Sequence, residues 1–227
     1  MPGGRRVATR STDVLTRFAP AVAPVTVALA VALERGNPVA EPRRSASVVL
    51  LRDDAGRGLA VHLQHRHARM PFAPSVAAFP GGGLDPVDAP APDPVLACAL
   101  RETLEETTVR LVAADLVRWA RWVTPEHEPR RHDTTFFLAA LPAGAVARDV
   151  SGETDRAGWM LVADALAARD SGHLALMPPT WSVLLELAAY DDVASALRAG
   201  EDRVVEAVLP RLVREGDGWA YAYGTLP

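Results

Sequence analysis

The chain has no lysine and no isoleucine, a single asparagine and a single cysteine, and all 24 of its basic residues are arginine. Each gap excludes something. Without lysine there is no Schiff-base nucleophile and no Walker-type side chain to meet a phosphate. The lone Cys98 rules out an intrachain disulfide and a cysteine zinc cluster. Its place in an apolar helical stretch reads as core. The arginine-only basicity, with many Ala and Pro, reads as a GC-rich coding bias. Those arginines nearly balance 28 acids, leaving a formal net charge of −4, so neither a nucleic-acid partner nor a membrane surface is expected. The apolar stretch from Phe18 to Leu33 is short for a span and is interrupted by Pro20 and Pro24. Although Arg5 and Arg6 precede it, a leader followed by a helix is expected rather than a signal peptide, and the compartment expected is the cytoplasm.

The 227 residues suffice for one full core. Residues 1–44 read as a leader (1–12), a helix near 25–35 that stops at Gly36, and a polar linker. Residues 45–227 read as one domain. Ser47 to Arg52 is a buried strand, returning through 59–66 after a turn. A loop follows over 67–75, then a short strand at 76–79. Three prolines make 84–93 an extended loop, after which Asp93-Pro94 starts a helix over 94–107, Asp as its cap and Pro in its first turn. Leu96, Leu100, Thr103 and Thr107 are its expected core face. Strands are expected at 117–124, 132–140 and 159–162, helices at 163–169, 180–190 and 193–199, and a terminal strand pair at 203–213 and 218–223.

The chemistry lies in the middle of the chain. Phe79-Pro80-Gly81-Gly82-Gly83 forms a glycine turn ahead of Arg101-Glu102-Thr103-Leu104-Glu105-Glu106. On a helix, offsets of three and four share a face, so Glu102, Glu105 and Glu106 crowd one stripe. Carboxylates so placed repel one another and favour a compensating cation, and hard oxygen ligands suit Mg²⁺ or Mn²⁺. The plainer reading is a solvated face with Arg101 paired to Glu105. The adjoining glycines weigh against it, because they let a backbone carbonyl approach an ion without a Cβ in the way.

These residues resemble the signature box of the Nudix hydrolases. Gly82 matches its first glycine, Asp88 stands at its first acid, and Arg101, Glu102, Glu105, Glu106 and Val109 match its second half. Three features depart from it. Twelve residues separate Asp88 from Arg101 where the box has seven, Thr103 takes an apolar position, and Thr108 replaces a glycine. A β-branched residue is strained in the left-handed conformation usual there, so the chain is expected to leave the helix by another route.

The resemblance implies an α+β fold, the Nudix α/β/α sandwich with a mixed sheet, here with added C-terminal helices. It implies a Mg²⁺- or Mn²⁺-dependent pyrophosphatase that cleaves a diphosphate linkage by metal-assisted water attack on a small nucleoside diphosphate derivative. Under it, Glu102, Glu105, Glu106 and the Gly81 carbonyl are metal ligands, and Arg101 orients Glu102. A further acid comes from a later loop: Glu153, with Glu126 and Glu128 as alternatives. Within the family, the long box and the segments Trp122-Val123-Thr124-Pro125, Arg131-His132-Asp133-Thr134 and Pro178-Pro179 are similar to the branch of the peroxisomal coenzyme A diphosphatases. That likeness implies coenzyme A or acyl-coenzyme A as substrate, with Arg66 in the coenzyme A motif. Pro71 and Ser75, however, stand where that motif has an arginine and a glycine. Arg131 is a candidate for holding a substrate phosphate or carboxylate, and Trp181 for lining the pocket. ADP-ribose, dinucleotides or nucleoside triphosphates are the alternative substrates, and a degenerate domain that only binds nucleotide is the competing class. A homodimer is compatible, since dimers are frequent in that family. Among His62, His65 and His67 only the last two share a face, which argues against zinc.

Overall fold

A computed structural model describes residues 22–66, 76–148, 150 and 154–225. The expected leader and the expected loop at 67–75 lie outside these residues. Alternation along the strands sets the architecture. In β1 (Arg43–Asp54), Val49 and Leu51 point to one core, while Ala46, Val48 and Leu50 point to the other. Successive strand residues face opposite sides, so a strand buried on both faces must lie inside a sandwich. Burying a side chain such as Leu50, which is fully enclosed, contributes about 1.5–3 kcal/mol.

β1 pairs antiparallel with β2 (Gly58–Arg66) through the turn at Asp54 and Gly58, and parallel with β6 (His132–Ala140) over its first nine residues. β6 pairs antiparallel with β5 (Val117–Val123), which carries a bulge between Arg118 and Ala120. β3 (Ala77–Ala78) and β7 (Thr154–Leu161) both join β2, and β4 (Gly81–Gly83) joins β1. β8 (Ala207–Glu215) continues the sheet parallel to β5, and β9 (Gly218–Thr225) closes it as a hairpin. The result is a mixed nine-stranded sheet among the described residues.

Helices cover both faces. α1 (Pro24–Glu34) precedes the sheet. α2 (Pro94–Thr107) packs on β1 and β4 over the second core. α3 (Val162–Asp170), α4 (Pro178–Leu187) and α5 (Val193–Glu201) contribute to the first core. None of the described helices is long and apolar enough to cross a membrane.

Three expectations are corrected. The glycines form a short strand rather than a free turn. Gly81 has φ +155°, and a Cβ there would overlap the Ala46 carbonyl and the Ser47 Cα. The buried face of α2 is Val95, Cys98, Ala99, Thr103, Glu106 and Thr107, with Leu96 and Leu100 only half-buried on its flank. Thr103 and Thr107 can face the core because each hydroxyl donates to a carbonyl one turn back, Ala99 at 2.7 Å and Thr103 at 2.5 Å. Finally, Thr108 does take the left-handed cap, at φ 62°. Its N–H donates to Leu104 at 3.0 Å, closing the last turn as a glycine would.

Candidate active site

α2 starts where the sequence expects it to. The Asp93 carboxylate accepts from the Leu96 N–H at 3.2 Å, and Pro94 takes the first turn. That fixes the rotation of the helix and sends Glu102, Glu105 and Glu106 toward β4. All three line one cleft of about 1050 Å³ with Gly81, Gly82 and Gly83. A nucleotide-sized ligand fits such a volume.

Each carboxylate is held differently. Glu106 is buried, and its Oε2 accepts from the Gly81 N–H at 2.9 Å, tying helix to strand. Glu102 lies flat on Gly82, where a Cβ would overlap its carboxylate. Burial pushes the Glu102 carboxyl above its ordinary pKa, against the opposing pull of Arg101. Glu105 is exposed at the rim.

Arg101 organises the group. Its Nη1 donates to Glu102 at 2.8 Å and to Glu105 at 3.1 Å. Its Nε and Nη2 grip both oxygens of Asp88 at 3.1 and 2.8 Å, and Nη2 also reaches the Gly83 carbonyl at 3.2 Å. Asp88 is buried, accepts from the Asp85 N–H at 2.9 Å, and is held below the usual carboxylate range by the Arg101 hydrogen bonds. The five extra residues between Asp88 and Arg101 therefore loop outward without breaking the contact, as slowly growing closure entropy permits.

The donor set fits a hard divalent cation: three carboxylates share one cleft, and the nearby Cys98 thiol is pushed up to about 12 by burial and the charges of Glu102 and Asp88. Among the described residues, no three acidic, histidine or cysteine side chains already converge into a cage. Nη1 of Arg101 engages one oxygen of each carboxylate, Oε1 of Glu102 and Oε2 of Glu105, so each can present its other oxygen to an ion while Arg101 holds it.

The structure separates the other candidates. Arg131 does not line the cleft. It is buried, with Nε donating to Thr124 at 3.0 Å and Nη1 to Ala40 at 2.7 Å. Trp181 belongs to the first core, its ring under the Arg169 guanidinium at 4.4 Å. Glu128 lines the cleft. Glu153 and the side chain of Arg66 lie outside the described residues. Sequence reasoning missed the Asp88–Arg101 clamp and a wall made by Tyr221 and Tyr223. The spacing of two in a terminal strand was the available signal for that wall, since it puts both rings on one face.

A family model, NUDIX domain, matches residues 41–178. A Caenorhabditis elegans protein named, by inference, nudix hydrolase 7 is 24% identical; the match covers 66% of this chain and 62% of that protein, so the chain spans less than two thirds of this curated relative. The crystal structure of a NUDIX hydrolase from Alicyclobacillus acidocaldarius superposes with a TM-score of 0.65 at 29% identity, covering 71% of this chain and 97% of that one. The NUDIX domain of Shewanella oneidensis NrtR, solved with ADP ribose, shares the fold at a TM-score of 0.51 and 17% identity, over 70% and 96% of the two chains. The chain belongs to the NUDIX family.

Proposed function

We propose that this NUDIX-family protein hydrolyses the diphosphate linkage of a nucleoside diphosphate derivative. The observation that carries the reading is the stripe of Glu102, Glu105 and Glu106 opening together onto one cleft, with Arg101 and Asp88 fixing its base. When bound by these carboxylates, Mg²⁺ or Mn²⁺ supplies charge neutralisation of the diphosphate and a lowered pKa for a coordinated water. The chain's own part is positioning. Arg101 orients Glu102, the Gly81 N–H orients Glu106, and one of the three carboxylates accepts the proton of the attacking water. The water oxygen bonds to phosphorus as the bridging P–O bond breaks, and the leaving phosphate departs as a second monoester. Glu153 is the candidate for a further acid, with Glu126 and Glu128 as the alternatives.

Coenzyme A or its acyl form is the finer reading. Its support is that Trp122 to Pro125, His132, Thr134, Pro178 and Pro179, all within the segments similar to that branch, line the cleft. ADP-ribose, the ligand of the NrtR domain, belongs in the same panel. The test is to incubate the full chain with Mg²⁺ or Mn²⁺ and coenzyme A, acyl-coenzyme A, ADP-ribose, dinucleotides and nucleoside triphosphates, and to identify the products. Metal-dependent release of paired phosphate monoesters supports the reading. No cleavage of any diphosphate bond in that panel overturns it.

A further inference from the structure

The cleft continues away from the glutamates along the β8–β9 hairpin. This hairpin lies beyond residues 41–178, so the family match does not account for it. Tyr221 and Tyr223 project from β9 into the cleft wall with their ring centroids 6.2 Å apart and tilted by 33°. Trp122 from β5 stands edge-on against Tyr223 at 6.2 Å, and His127 leans on Tyr221 at 6.1 Å. Each tyrosine is thus backed by a second ring, which fixes its plane. Burial raises the pKa of both hydroxyls, so they remain neutral.

Charge is distributed unevenly. The cleft-lining side chains include four acids, Glu102, Glu105, Glu106 and Glu128. Among the described residues, none of the lining side chains is an arginine, and His132 alone among them can carry a positive charge. Arg130 and Arg131 do not line the cleft, Arg131 donating to backbone carbonyls, and Arg121 is paired with Asp133 at 2.6 Å. Glu128 lies close enough to Tyr221 to act on its ionisation. Among the described residues, a planar, uncharged group therefore meets rings and an acceptor here, whereas a phosphate meets a carboxylate and no lining guanidinium.

We infer that the β8–β9 hairpin selects the substrate: the base of a nucleoside diphosphate derivative lies against Tyr221 and Tyr223 with Glu128 as a hydrogen-bond acceptor, and a nucleoside bearing a further phosphate is disfavoured. This rests on the diphosphatase reading given above. It narrows the diphosphatase reading toward NADH over NADPH and toward dephospho-coenzyme A over coenzyme A, and so departs from coenzyme A as the substrate named above.

The experiment compares kcat/KM for those two pairs in the parent protein and in Tyr221→Ala, Tyr221→Phe and Glu128→Gln. Binding is also read from tryptophan fluorescence, so the slot is tested even in a chain that does not cleave. The parent is expected to prefer the unphosphorylated member of each pair by roughly tenfold or more. Tyr221→Ala raises KM roughly tenfold with kcat little changed, and Tyr221→Phe restores KM, because stacking needs the ring and not the hydroxyl. Glu128→Gln narrows the preference within each pair. Equal use and equal binding of both members by the parent overturns the inference, as does an unchanged KM in Tyr221→Ala. Loss of kcat on all substrates alike in Glu128→Gln removes Glu128 from this role. Base-dependent binding without any cleavage would refute the diphosphatase reading while leaving the slot standing.

Discussion

Arg101 has five N–H donors, and five oxygens receive them: two on Asp88 and one each on Glu102, Glu105 and Gly83. A bidentate grip on Asp88 leaves the guanidinium little freedom, so the position of Glu102 is inherited from a residue thirteen places before Arg101. Asp88→Asn keeps the shape but weakens the grip. It is expected to lower kcat/KM by roughly 10–100-fold, as loss of a ligand-orienting partner does, while the protein stays folded by circular dichroism. Glu102 yields a prediction of opposite sign for stability and activity. Its pKa is raised in the fold, so the ionised form costs stability. That cost is absent below the ordinary carboxylate range, grows as pH rises through the ordinary value, and is complete above the raised one. In protein stripped of divalent cations, Glu102→Gln is therefore expected to melt higher than the parent at pH 8, the gap closing as pH falls to 4, while activity is lost. At this scale the sequence located the acids and the Arg101–Glu102 contact, because both lie within one helical turn. It misplaced Arg131, whose carbonyl partners sit at Thr124 and at Ala40, 91 residues away, a closure that no local pattern encodes.

The helix carrying the glutamates was legible almost to its ends, because Asp93-Pro94 is a local signal and the capping hydrogen bond forms as that signal requires. Its exit was not. A left-handed threonine costs about 1–2 kcal/mol relative to a relaxed conformation, and here a tertiary frame imposes it. Val109 and Leu111 enter the second core directly after the cap, and Arg148 N–H donates to the Thr107 carbonyl at 2.9 Å. Thr108→Gly relieves that strain, and the greater entropy it gives the unfolded chain offsets only part of the gain, so a net stabilisation of about 0.5–1 kcal/mol is expected, read as a higher melting temperature with unchanged kcat. The glycine segment taught the same lesson differently. Its composition announced a close approach, but at Gly81 and Gly82 the approaching groups are β1 and the Glu102 carboxylate. Which neighbour fills the space is set by strand pairing, which is non-local.

On the scale of the molecule, the sheet divides two cores, and the cleft collects residues from α1, β1, β4, α2, β5, β6, α4 and the β8–β9 hairpin. Strand alternation and helix periodicity identified most of these pieces separately. The order in which they pair, with β1 parallel to β6 and β8 parallel to β5, brings carboxylates and an aromatic wall into one cleft from distant parts of the chain. The proposed cleavage depends on those carboxylates acting together on a diphosphate. The most direct measurement is the rate of metal-dependent diphosphate cleavage by Glu105→Gln beside the parent, on the substrate the parent uses best. Glu105 is exposed and its carboxylate accepts from Arg101 at 3.1 Å, so the variant is expected to fold and to lose roughly 100-fold or more in kcat. Turnover equal to the parent's would contradict the account.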